Sequence, residues 1–360
     1  MTAVWYEAGS HAAGAALAAA LPATIDVDVR GTGVRVHTDA LQEVDATAAE
    51  LGLTADPAAV QSLRFGLDAA DPATVRSFWE PVLGYRRAGA GCLEDPLRRD
   101  PSFAVRRLDE ARPLRNRIHV DVVRPAAEVT RARAGREPTG PFGVMLADDE
   151  GNEVDLVPGD PLPGTTDWYA LFGAMTFYPQ ATARFVTSVA ELADAACLSL
   201  LIDIRPEGVV LDSGKDAWED GSGGADPAFA ALARRIESAA EDFGLRADPA
   251  PLRFVQFGID ALDVPAMRAF WMRLLGYRPD PRPDVTDIYD PRRLNPVLFF
   301  QQLQEPRPQR NRIRFELAVP DPEDRIAAVG GRVLSEKPYL VADPEGNEVV
   351  LRTTKTRPST

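Results

Sequence analysis

The sequence predicts an α+β protein made of two copies of one unit, each a small α/β two-layer domain followed by paired βαβββ modules. Three observations predict it. The first is an internal repeat, the signature to seek before any other because it decides the architecture. Leu63-Arg-Phe-Gly-Leu-Asp68 lines up with Val255-Gln-Phe-Gly-Ile-Asp260, and Phe78-Trp79 with Phe270-Trp271. Arg115-Asn-Arg-Ile118 and Gly151-Asn-Glu153 return as Arg310-Asn-Arg-Ile313 and Gly346-Asn-Glu348, in the same order. The second is a strand–helix–strands pattern inside each copy. The third is a fainter upstream match, in which Ile25-Asp-Val-Asp-Val29 resembles Leu200-Leu-Ile-Asp-Ile204.

The elements follow in order. Each small domain carries a two-strand unit, Ile25–Val29 with Val34–Val36 and Leu200–Ile204 with Val209–Leu211, then a helix ending near Gly52 or Gly244. Phe65 to Asp68 is a short strand. Asp71-Pro72 caps and opens a helix whose Val75, Phe78, Trp79, Val82 and Leu83 share one face, and Gly84 stops it. That spacing makes the aromatic pair core. Strands over 103–106, 117–123, 143–146 and 154–157 follow, with a turn at Asp149-Glu-Gly-Asn152. The boundaries read 1–60, 61–160, 165–250 and 251–355, with Pro-, Asp-, Gly- or Thr-rich linkers at 55–62, 158–166 and 246–251.

Composition narrows the function. The net charge of −14 argues against non-specific nucleic-acid binding, and no apolar run is long enough to span a membrane. The Ala-rich start is no convincing signal peptide, so a cytoplasmic location is expected. Two cysteines exclude a disulfide framework, and three histidines (His11, His37, His119) limit the chemistry.

The chain resembles the glyoxalase-like domains of the vicinal oxygen chelate superfamily. Asp71-Pro with Phe78-Trp and Leu83-Gly-Tyr resembles the first βαβββ module; Asn116-Arg-Ile-His-Val-Asp121 with Asp149-Glu-Gly-Asn-Glu153 resembles the second. The second copy has Asn311-Arg-Ile-Arg-Phe-Glu316 and Asp343-Pro-Glu-Gly-Asn-Glu348. The small domains resemble, more weakly, pterin-4a-carbinolamine dehydratase. The histidines of that family are replaced by Ala195-Ala-Cys197 and Ala20-Leu-Pro22, which implies a scaffold rather than a dehydratase.

In the metal-dependent members of the superfamily that the chain resembles, a divalent metal is held by residues on the first strand of each module and on the last strand; here the cofactor is left open, with a divalent metal disfavoured. Those positions hold Arg64, His119 and Asp155 in copy one, and Gln256, Arg314 and Val350 in copy two. Arginine does not ligate. Copy one therefore offers His119 and Asp155, two ligands where three are wanted, and no metal ligand set is complete. Glu153 or Asp121 would serve only after a strand-register shift by an odd number of residues.

The expected function is binding of a small aromatic or anionic metabolite in metal-free clefts, by Arg64, Glu153, Gln256, Arg314 and Glu348. The alternative is a lyase, isomerase or dioxygenase-like enzyme active in copy one alone, with His119 and Asp155 catalytic. Four modules in one chain make a monomer or a homodimer equally acceptable. Arg98-Arg99 and Arg292-Arg293 read as ion-paired surface or as an anion-binding rim.

Overall fold

The computed structural model describes residues 2–89, 91–330, 332–336 and 338–354. The first small domain runs β1 (Thr2–Glu7), α1 (His11–Ala20), β2 (Asp26–Arg30), β3 (Gly33–Thr38), α2 (Leu41–Glu50) and β4 (Thr54–Asp56). A first module follows as β5 (Ser62–Ala69), α3 (Pro72–Leu83), β6 (Arg86–Ala88), β7 (Cys92–Glu94) and β8 (Phe103–Arg107). A second has β9 (Ile118–Pro125), α4 (Ala126–Arg133), β10 (Met145–Ala147) and β11 (Glu153–Pro161). The second copy continues with β12 (Tyr169–Leu171), β13 (Gly173–Pro179), α5 (Ala183–Ala196), β14 (Leu201–Arg205), β15 (Gly208–Asp212) and α6 (Pro227–Asp242). Its modules are β16 (Phe254–Ala261), α7 (Val264–Leu275), β17 (Arg278–Pro279), β18 (Ile288–Tyr289) and β19 (Leu298–Gln302), then β20 (Ile313–Val319), α8 (Pro322–Val329), β21 (Arg332–Glu336), β22 (Tyr339–Ala342) and β23 (Glu348–Thr353).

The helices form where caps and stripes agree. The Asp71 carboxylate accepts from the amides of Ala73 and Thr74, Pro72 sits in the first turn, and Gly84 closes α3 in the left-handed region at φ 66°. The equivalent α7 is capped by Asp263 and closed by Gly276. Trp79 and Trp271 are fully buried, and each indole N–H reaches the Asp148 or Asp343 carboxylate at 2.9 and 3.0 Å. Those aspartates accept the backbone amides of their own Asp-x-x-Gly-Asn turns. The repeated tryptophans and turns are thus one structural unit.

The copies exchange modules. β5 pairs antiparallel with β20, joining the first module of copy one to the second of copy two in an eight-stranded sheet. β16 pairs antiparallel with β9, joining the first module of copy two to the second of copy one. The two sheets pack through one core, where the Phe65, Phe257 and Phe315 rings lie 4.9–5.1 Å apart. Period-two alternation assigns the faces: Leu63, Phe65, Leu67 and Val255, Phe257, Ile259 point to that core, leaving Arg64, Gly66, Asp68 and Gln256, Gly258, Asp260 for the clefts.

The Arg-Asn-Arg strands lock this exchange. Asn116 Nδ2 donates to Asn152 Oδ1, which also accepts from Arg312 Nε of the other copy at 2.6 Å. Symmetrically, Asn347 Oδ1 accepts from Asn311 and from Arg117 Nε at 3.0 Å. The Arg117 and Arg312 amides donate to the Asn311 and Asn116 side chains, both at 2.8 Å.

The small domains also merge, β14 pairing with β2 to make one continuous sheet. Each has strand ahead of its first helix, β1 in the first and β12 with β13 in the second, which the sequence pattern does not announce. The expected linker at 158–166 is in part strand, because β11 runs on through Pro161 and pairs with β12. The sheet carrying His119 is thereby continuous with the small-domain sheet, giving a fifteen-stranded order; the β5–β20 sheet stands apart. Arg98 pairs with Asp26 and Glu207, Arg99 with Asp203 and Asp212, and Arg292 with Asp56. These arginines fasten modules to small domains and are not a free rim. Arg293 instead stacks on the Tyr289 ring at 3.7 Å. No helix among the described residues is long and apolar enough to cross a membrane.

Candidate functional site

Three neighbouring strands build the first cleft. On β9, His119 and Asp121 are two residues apart and share the cleft face. Asp155 on β11 stands in parallel register beside Asp121, and Gln256 on β16 stands opposite it in antiparallel register. The His119, Asp121 and Asp155 ligating atoms all lie within 4.8 Å of one another. His119 Nε2 is 3.6 Å from Asp121 Oδ1, and the two side chains are only 12% and 10% exposed. Gln256 Nε2 donates to Asp121 Oδ2 at 2.9 Å. The buried Asp121 Oδ1 and Gln256 Oε1 accept no hydrogen bond.

Local sequence makes room for this. A side chain at Gly258 would place its Cβ 2.2 Å from His119 Cε1 and 2.7 Å from Phe299 Cζ. Glycine is therefore required if the imidazole is to lie over β16. Phe299 packs edge-on to that imidazole, ring centres 5.5 Å apart. Lys215, from the loop after β15, pairs with Asp287 and lies 5.5 and 5.9 Å from the Phe172 and Phe299 ring centres. The second small domain thus lends a cation to the cleft wall. Asp260 is held by Arg307 at 2.6 Å.

Burial raises the carboxyl pKa values of both Asp121 and Asp155, and His119 opposes the rise in each case. Two carboxylates, Asp121 buried and Asp155 half-buried, therefore share the site, while the nearest lysine is already engaged by Asp287.

These observations correct the sequence expectations. Arg64 lies on β5, in the other sheet, and does not share a cleft with His119 and Asp155. Arg314 likewise does not meet Gln256: it is bound to Asp68. Glu153 and Glu348 sit on the cleft faces but are held by Arg115 and Arg310. The count of two ligands is also too low. Asp121 needs no register shift, since it follows His119 by one strand period, and Gln256 arrives from the other copy. The donors fit a divalent cation: one imidazole, two carboxylates short of positive charge, and an unpartnered amide oxygen beside them. Lys215, Phe299 and Gly258 escape the sequence reading. Of the added residues, Asp121 alone has a visible signal, its spacing from His119.

The second cleft differs at each of the four positions that match His119, Asp121, Asp155 and Gln256. Arg64 stands opposite Glu316, Arg314 replaces the histidine, and Val350 replaces Asp155. No metal-ligating cluster occurs there among the described residues.

Comparison with known proteins agrees with this architecture. The model of the glyoxalase-like domain family matches residues 64–157 and 256–351, more than half of the chain. No curated protein sequence matches. Among solved structures, glyoxalase I from Zea mays is similar at 11% identity and a TM-score of 0.35, covering 81% of this chain and 92% of that one. A glutamate-to-glutamine point mutant of the same Zea mays enzyme is similar at 10% identity and a TM-score of 0.38, covering 82% and 95%. On the family match, with both copies accounted for, the chain belongs to the glyoxalase-like domain family of the vicinal oxygen chelate superfamily.

Proposed function

We propose that the protein is an enzyme of the lyase, isomerase or dioxygenase type, working in one cleft only, on a small substrate with vicinal oxygens. The observation that carries this is the buried oxygen pair, Asp121 Oδ1 and Gln256 Oε1, left without donors beside His119 and Asp155. His119, Asp121, Asp155 and Gln256 would hold a divalent cation, which when bound supplies Lewis acidity toward paired ligand oxygens. The side chains themselves do the rest. Phe299 and Gly258 fix the imidazole plane. Phe172 and Phe299 offer aromatic faces for an apolar substrate body, and Lys215 places a positive charge beside them.

The metal-free binding expected from sequence is kept for the second cleft alone, where Arg314 and Val350 offer no metal-ligating atom. Each cleft takes one module from each copy, so neither needs a second chain.

Cobalt(II) loading tests the reading. The full chain should give a protein-bound cobalt spectrum that shifts on adding acetohydroxamate, a vicinal-oxygen chelator. A spectrum indistinguishable from free cobalt, or one indifferent to acetohydroxamate, contradicts it.

A further inference from the structure

The second cleft opens onto a cavity. This cavity, of about 700 Å³, lies between the β5, β20 and β23 floor and the first small domain, within the ~300–1,000 Å³ that small-molecule sites occupy. In the first cleft the corresponding mouth is filled: Phe254 meets Phe172, ring centres 5.9 Å apart, and both pack against a buried cluster that includes Val123 and Leu171. The residue matching Phe254 in the repeat is Ser62, which leaves the second mouth open.

The floor is positive in a chain that is strongly negative. Arg64 and Glu316 are register partners on adjacent strands. Glu316 is already bound by Arg106 and lies 3.6 Å from Arg352. Arg64 has no ion-pair partner among the described residues, and it lines the cavity. Glu316 is thus engaged by Arg106 and Arg352, and its register partner Arg64 is left unpaired among the described residues. Among the described residues the other carboxylate lining the cavity, Asp45, accepts from the Tyr6 hydroxyl at 2.8 Å. The wall opposite carries Val4, Leu41, Ala55 and Val60 beside Arg35 and His37, both of which are held by Asp28.

We propose that this second cleft binds a small organic carboxylate on an apolar body, gripped by Arg64 with Arg352 and covered by the first small domain. Arginine's planar fork matches a carboxylate in two parallel hydrogen bonds. The apolar side chains of that wall take the remainder of the ligand. The two clefts then divide the labour, one built from oxygen donors and the other from guanidinium donors. The assignment involves no cation, so it stands or falls separately from the reading of the first cleft.

Calorimetric titration of the full chain in EDTA tests it, with benzoate, phenylacetate and phenylpyruvate as probes. At least one of the three should bind saturably, and its neutral amide should not. Arg64→Gln should weaken that binding about tenfold or more, since a charge-assisted pair is lost. Ser62→Phe, which copies the filled mouth of the first cleft, should weaken it without altering charge. Asp121→Asn should leave it unchanged. Failure of all three carboxylates to bind overturns the assignment, as does binding that Arg64→Gln and Ser62→Phe leave intact. Inorganic phosphate binding more tightly than every carboxylate also overturns it, because it would assign the site to a bare anion.

Discussion

Gln256 donates to Asp121 at 2.9 Å across the strand pair that joins the two halves of the chain. A first-copy carboxylate and a second-copy amide thereby become one site. The duplication is not two independent units. It supplies complementary halves to two clefts, and the unequal polar residues make the clefts unequal.

Gly258 is the tightest steric requirement of the first cleft. Gly258→Ala should disable the site by driving its Cβ into His119 and Phe299, at a cost of about 1–3 kcal/mol from overpacking. At the matching Gly66 an added Cβ meets nothing closer than the Ala104 carbonyl at 3.2 Å. Gly66→Ala should therefore be the milder change. Denaturant midpoints and cobalt binding of the two variants check this; equal effects would contradict it.

Asp121 should trade stability for function. Burial raises its folded-state pKa, so the folded carboxyl keeps its proton to higher pH than the unfolded one. Its contribution to stability is present below the unfolded value and is lost as pH rises through the folded value. Hence Asp121→Asn should raise the melting temperature in EDTA at pH 7 and lose the advantage near pH 3. Cation binding to the wild type should weaken as pH falls, because protons compete for both carboxyls. A variant less stable than wild type in EDTA at pH 7 would count against this account.

The crossed asparagines should matter for folding. Asn152 is fully buried; its Oδ1 accepts from Asn116 and Arg312, and its amide donates to Asp148. Asn152→Ala should cost about 2–4 kcal/mol by leaving those donors unmet. Asn347→Ala should cost a similar amount through Arg117 and Asn311. Equilibrium denaturation measures both, and losses under about 0.5 kcal/mol would refute the clamp.

Much of the fold is legible in the sequence. The i, i+3, i+4 stripe around Phe78-Trp79, the Asp-Pro caps and the Asp-x-x-Gly-Asn turns are local patterns set by neighbours in sequence. Module exchange is not legible: alternation says which face a residue takes, not which strand lies beside it. For that reason the sequence groups Arg64 with His119, although the pairings place it beside Glu316. Asp121 is readable from its two-residue spacing, because alternate strand residues share a face. Lys215 carries no signal, since a small-domain loop brings it to the cleft from a distant part of the chain.

The most direct test is the divalent-metal content of the purified full chain, before and after Asp121→Asn. The account predicts a single tightly held ion per wild-type chain and none in the variant. No ion in the wild type, an ion in each cleft, or an ion retained by Asp121→Asn would contradict it.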